Sequence, residues 1–186
     1  MLTARTLIEA QIYVSLVTAA DPEAPAVVPA RPEPGVNVTE GPDAWVFASP
    51  AGEITIPYAS ERAATTIGAR FGLGTSRLVD AAQWAIVSAS FARRALDADM
   101  AYTGAPGQDR TAVELNWEFA ADAVAEAIKF LPDGADEVPD ADIWSEYGKQ
   151  AKARHPHLVS RAKLHDDLEY YRGTLEDFRA LYDNRS

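Results

Sequence analysis

The plainest pattern in the chain is a run of apolar positions, Val113, Trp117, Ala120, Val124, Ala127 and Leu131, spaced by alternate steps of four and three. At 3.6 residues per turn that spacing puts all six on one side of a helix, and the pair Thr111 and Glu114 fits a capping box at its start, after Asp109 or Arg110. Leu164, Leu168, Tyr171, Leu175, Phe178 and Tyr182 repeat the stepping near the C-terminus, so two seams of matching length are available to face each other. Between them, "DADIWSEYGKQAKAR" predicts a shorter helix. It stops at His155-Pro156, because the residue before a proline is pushed out of helical geometry. Upstream, "RLVDAAQWAIVSASFARRALDADM" carries Leu78, Val79, Trp84, Ile86, Val87, Phe91 and Leu96 around most of its circumference. It predicts a third long helix, central to a core, capped by Thr75 or Ser76 and broken by "TGAPGQD". "SERAATTIGARFG" predicts a short helix ending at Gly72.

The N-terminal part has another rhythm. Leu7, Ile8, Ile12, Tyr13, Leu16 and Val17 fall at helical spacing, with Thr6 and Glu9 as a capping box. Six of the twelve prolines lie between Asp21 and Pro42, which predicts an extended connector with an edge strand at Val36–Val38. "DAWVFASPAGEITIPYA" alternates on both sides of a Ser-Pro-Ala-Gly turn and predicts a β-hairpin, Ala44–Ala48 with Glu53–Pro57. A lone hairpin is marginal in water, so it needs a helix or a third strand. The fold class read from these patterns is α+β: a small β-hairpin module packed on a predominantly helical bundle, with three long helices plus shorter ones. Residues 1–72 and 73–186 form its two parts, read as one compact unit.

Composition narrows the function classes. The net charge is −11, with 28 acidic against 17 basic residues, so a nucleic acid would meet a repulsive average field. Cysteine is absent, which removes disulfides, thiolate metal sites and cysteine nucleophiles. The start of the chain imitates a secretory signal, but Glu9 and Gln11 interrupt it, and no apolar run approaches the ~20 residues of a membrane span. A cytoplasmic protein with no membrane partner is expected.

Charge is distributed unevenly in the C-terminal half. Residues 109–146 hold eleven acids and two bases, while residues 147–165 hold Lys149, Lys152, Arg154, Arg161 and Lys163 and no acid. Folding is expected to set these blocks side by side as solvated surfaces. Glu114, Glu118, Asp122 and Glu126 form an i, i+4 ladder that reads as a wet acidic face.

The segment "FLPDGADEVPDADIWSEYG" concentrates Asp133, Asp136, Glu137, Asp140 and Asp142 around Trp144. A calcium loop fails on register, because the third position is Ala135 counted from Asp133 and Val138 counted from Asp136. Pro132-Asp133-Gly134 reads as a tight turn, and Asp140 as the cap of the next helix. The glycine-rich turn "FGLGTSR", with Arg70, Gly72, Gly74 and Arg77, can hold an anion on exposed amides at a helix start; an ordinary helix break explains the same letters. His155, His157 and His165 cluster without an i, i+4 pair, so no metal and no cofactor is expected. No Walker loop, dinucleotide fingerprint, nucleophile elbow or zincin histidine pair occurs.

The stretch "AIKFLPDGADEVPDADIWSEYGKQAKARHPHLVSRAKLHDDLEYYRGTL" resembles the C-terminal region of a family of uncharacterised bacterial proteins, in which a leucine-proline-acidic turn, a tryptophan helix and an Arg/Tyr-rich helix follow a zinc-ribbon-like module. "WVFASPAGEITIPYA" resembles one ribbon hairpin, but the ribbon's paired cysteines have no counterpart here. The resemblance implies a lost metal whose stabilising role passes to packing, and it implies no activity. Two functional expectations follow. One is a non-enzymatic acidic protein-binding module, an immunity-type inhibitor or accessory subunit, offering the five acids and Trp144 to a basic protein partner. The other is a small metal-free enzyme or small-molecule-binding accessory protein, with a pocket containing His165, Tyr170 or Arg172 between hairpin and helices. Homodimerisation stays open.

Overall fold

The computed structural model describes residues 2–18 and 37–183. The proline-rich connector up to residue 36, including Val36 of the expected edge strand, lies outside the described residues. The chain divides into two units, Met1–Asp80 and Ala81–Ser186.

In the first unit the hairpin finds its support. Strands β1 (Leu2–Thr3), β2 (Asn37–Glu40), β3 (Ala44–Ser49) and β4 (Gly52–Pro57) form one sheet in the order β1-β4-β3-β2. β3 and β4 pair antiparallel in the register Trp45↔Ile56, Phe47↔Ile54 and Ser49↔Gly52, which leaves a two-residue turn close to the one the alternation predicts. β2 adds antiparallel and β1 adds parallel. Alternation then turns Phe47, Ile54 and Ile56 inward, where they are buried.

Helix α1 (Leu7–Thr18) starts as Thr6 and Glu9 foretell, with Thr6 Oγ1 accepting from the Glu9 amide at 3.1 Å. The rest of that expectation needs correcting. Burial goes to Glu9, Ala10, Ile12 and Val14, while Val17 is exposed. Glu9 goes inside because Arg5 goes with it: Arg5 Nη2 donates to Glu9 Oε1 at 2.7 Å, and the Arg5 amide donates to Oε2 at 2.6 Å.

Helix α2 (Tyr58–Thr66) ends earlier than Gly72. Gly68 takes φ +70°, the Gly68 amide donates to Thr65 O at 3.2 Å, and the Ala69 amide donates to Ala64 O at 2.9 Å. Those are the two bonds of a Schellman stop, which a residue in the left-handed region makes possible.

The second unit is helical. α3 (Ala81–Ala101), α4 (Arg110–Ile128) and α6 (Arg161–Asp183) are the long members, with α5 (Glu146–Arg154) between the last two. α4 packs against both α3 and α6, and α5 lies on α3. Most of the predicted seam is buried, Val113, Trp117, Ala120, Val124 and Ala127 on α4 and Leu164, Tyr171, Leu175 and Phe178 on α6, whereas Leu131, Leu168 and Tyr182 near the seam ends or edge are half-buried and Leu96 of α3 is exposed. Trp117 lies 6.0 Å from Tyr171, and Phe91 stacks on Phe119 at 4.7 Å. The class is α+β, a small sheet in one unit and a helical bundle in the other.

Three caps differ from expectation. α3 begins at Ala81, not Arg77, since the Ser76 hydroxyl is spent on the amides of Leu78 and Val79 in a preceding turn. Asp109 caps α4, accepting from the Ala112 amide at 3.2 Å, which frees Glu114 from any capping box. Ser145, and not Asp140, caps α5 through the Gly148 amide at 2.9 Å. The C-terminal end of α5 falls at His155, before Pro156, as the sequence predicts.

Candidate functional site

The acidic segment becomes a corner between α4 and α5, and its apolar residues decide its facing. Val138 and Ile143 are fully buried and pin the chain at two points, so Asp133, Asp136, Glu137 and Asp140 between and before them point to solvent. Gly134, at φ +73°, is the third residue of a β-turn closed by the Ala135 amide donating to Pro132 O at 3.1 Å. Residues 140–142 make one turn of 3-10 helix.

What holds the corner is the neighbouring basic block. Arg161 Nε donates to Ala135 O and Arg161 Nη2 to Pro132 O, both at 2.6 Å, and the Arg161 amide donates to Asp136 O at 2.7 Å. The Val138 amide donates to Val159 O at 3.1 Å, completing a short two-stranded clasp at Glu137 and Ser160. The −9 and +5 blocks therefore do meet, but chiefly through backbone carbonyls. Lys152 reaches the carboxylates, 2.7 Å from Asp140 and 3.6 Å from Glu137. The Lys152 hydrogen bond and charge hold the Asp140 carboxyl below its usual range.

Of the five acids offered as a binding surface, Asp140 and Glu137 thus share Lys152. Asp133, Asp136 and Asp142 have no ion pair with any described residue. Asp142 is half-buried and the other four are exposed. Trp144 is 41% exposed, with its ring 6.1 Å from that of buried Phe130. Beside it, an open groove of about 510 Å³ is lined by Ile143, Ala153 and Pro156, with Asp140, Lys149 and Lys152 as its polar members. Sequence reasoning named the acids and the tryptophan but missed Arg161 and Lys152 as the residues that shape the corner. Their membership of the adjoining acid-free block was the available signal.

The other candidate groups are placed as follows. In "FGLGTSR", Gly72 has φ +113°, and a Cβ there would stand 2.4 Å from Arg5 Cβ; the Gly74 carbonyl accepts a short hydrogen bond from Arg5 Nη1. Thr6 Oγ1 donates to Arg70 O at 3.2 Å, and Arg77 is exposed. With the first turn of α3 at Ala81, this loop does not open the helix whose positive end an anion site would use.

The Glu114 ladder is not the wet face expected of it. Glu114 accepts from Arg110 Nε at 2.6 Å and from Arg179 Nε at 2.8 Å, Glu118 accepts from Arg179 Nη2 at 2.6 Å, and Glu126 is buried and paired with Lys129. Burial alone would raise the Glu114 pKa, but the two guanidinium groups outweigh it and hold the carboxyl below its ordinary value. His155 and His157 are exposed at the α5–α6 turn, and His165 lies on α6. Among the described residues, no three histidine, aspartate or glutamate side chains gather as metal ligands, and no helix is long and apolar enough to cross a membrane.

A second open groove, about 490 Å³, runs along α6, lined by His165, Leu168, Glu169, Arg172, Gly173 and Glu176. Compared with known protein families, curated proteins and solved structures, the chain finds no match.

Proposed function

We propose that the chain is a non-enzymatic protein-binding module whose acidic corner engages a basic protein partner, in the manner of an inhibitor or accessory subunit. One observation carries it: Trp144, a large apolar side chain, stands 41% exposed on a corner where Asp133, Asp136 and Asp142 lack ion pairs with described residues. An exposed tryptophan beside a shallow apolar groove supplies contact area, and unmatched carboxylates supply attraction at long range. The test is capture of partners from native lysate with wild-type protein and with two variants. Trp144→Ala should lower retention of a specific partner at least tenfold. Asp133→Asn with Asp136→Asn should slow its association and flatten the salt dependence. A partner retained equally by all three, with an unchanged salt slope, overturns the proposal.

A small-molecule-binding accessory role is the second reading. The groove along α6 favours it, since His165 and Arg172 line it together. A thermal-shift screen of metabolites tests it, and a hit abolished by Arg172→Ala is the supporting result.

A further inference from the structure

The outward face of α6 carries four long polar side chains in a row, His165, Glu169, Arg172 and Glu176. All four are exposed, and none forms a hydrogen bond or ion pair through its side chain with another described residue. Arg172 lies three residues from Glu169 and four from Glu176, the spacings at which helical ion pairs form. On the same helix Lys163 pairs with Asp167, and Arg179 binds Glu114 and Glu118 of α4. The row departs from that pairing, as do Asp166 and Asp177, but only the row combines acid and base at pairing distance along one line.

Gly173 is the second irregularity. It stands in the interior of a 23-residue helix, where only proline is less favourable. Nothing described lies within 4 Å of the place its Cβ would take, so packing within the described chain does not require it. Close approach of a second backbone would.

The order of the row selects what approaches. Its steps are four, three and four, the d-a-d-a spacing of a helix-pairing seam. It is also symmetric about the midpoint between Tyr170 and Tyr171: positions 165 and 176 lie equally far on either side, and so do 169 and 172. In an antiparallel pair related by a two-fold axis at that midpoint, each a position sits beside a d position of the other copy. The layers are then His165 with Glu176 of the second copy and Glu169 with Arg172 of the second copy, each occurring twice. Every layer joins an acid to a base. A parallel pairing would set Glu169 beside Glu169 and Arg172 beside Arg172, so the charges specify direction as well as partner.

We propose that this face of α6 is the contact of an antiparallel two-fold homodimer, centred between Tyr170 and Tyr171. Leu168 then flanks the seam near its symmetry mate on one side. On the other side Gly173 lies near its own mate, and the missing side chains let the helices approach toward the lower end of the usual ~8–10 Å interaxial range. The seam spans twelve residues, eleven steps or about 16 Å of helix, so the contact is small and the dimer weak.

Light scattering on a sizing column, from about 1 µM to about 500 µM protein, reads the equilibrium directly. The mass should climb with concentration from 20.1 kDa toward twice that value. Glu169→Arg alone and Arg172→Glu alone each place like charges in two layers and should weaken association at least tenfold, whereas the double variant should restore it. A mixture of the two single variants should form a mixed dimer that neither forms alone. Gly173→Leu should also weaken it. Because these positions are exposed, circular dichroism and the melting temperature should stay those of a folded protein in the charge variants. A constant 20.1 kDa mass, a dimer indifferent to both single charge reversals, or a small molecule filling the groove of a monomer would overturn the proposal. Asp133→Asn with Asp136→Asn should leave the dimer unchanged, which separates its failure from that of the acidic corner.

Discussion

Glu114 shows how one side chain changes meaning when its surroundings are known. In sequence it opens an acidic ladder and completes a plausible capping box; in the fold it lies between Arg110 and Arg179, and Asp109 takes the cap. The ladder's spacing was legible, but Arg179 lies 65 residues away on another helix, and no local pattern brings it close. Because the folded state holds the Glu114 pKa below its unfolded value, the stabilisation is complete above the ordinary glutamate range. It is lost as pH falls through the folded value. Glu114→Gln should therefore lower unfolding free energy by about 1 kcal/mol at pH 7, a modest figure because Arg179 is partly exposed. Denaturant titrations of variant and wild type should converge as pH drops below the carboxylate range.

Among the elements, existence and type were readable while ends were contested. α4 and α6 declare themselves by apolar steps repeated over about five turns, and α3 by apolar residues around most of its circumference, signals that a single residue cannot cancel. A cap, by contrast, is chosen among near-equal candidates. Asp140 and Ser145 both suit the start of α5, and the choice falls to Ser145 because buried Ile143 fixes the chain just before it while Lys152 draws Asp140 away. Ser145→Ala should cost about 1 kcal/mol of unfolding free energy. Asp140→Asn, which leaves the cap in place, should have a smaller effect in the same measurement, because that carboxylate is exposed. Gly68 rather than Gly72 ends α2 for a related reason: the Schellman bonds need a left-handed residue directly after the helix, whereas Gly72 answers a close approach of Arg5.

At the scale of the whole molecule, the uneven charge takes on a structural use. The acidic corner is held by Arg161 through two side-chain bonds to carbonyls and one from its amide, so the basic block organises the backbone that displays the acids. Arg161→Ala should destabilise the fold by about 1–3 kcal/mol, since it leaves two carbonyls short of a charged donor. Hydrogen exchange should speed up at Ala135 and Val138 while the interior of α4 keeps its protection. Equal acceleration everywhere would mean that the clasp supports the entire helical unit rather than the corner.

The sequence by itself determined the class of the fold, the three long helices, the hairpin and its register, and most of the apolar residues that enter the helical core, because periodicity is a local property repeated often enough to dominate; it did not foresee that Leu96 stays exposed or that Phe119 and Phe130 are buried. It also determined where acids and a tryptophan concentrate. Only the tertiary structure decided which of those acids carry ion pairs, that Trp144 stays partly exposed, that Glu9 and Glu126 go inside with their cations, and that an unmatched row of charges faces outward on α6. Those outcomes depend on contacts between residues far apart in the chain, and a carboxylate reads the same in sequence whether an arginine or water meets it.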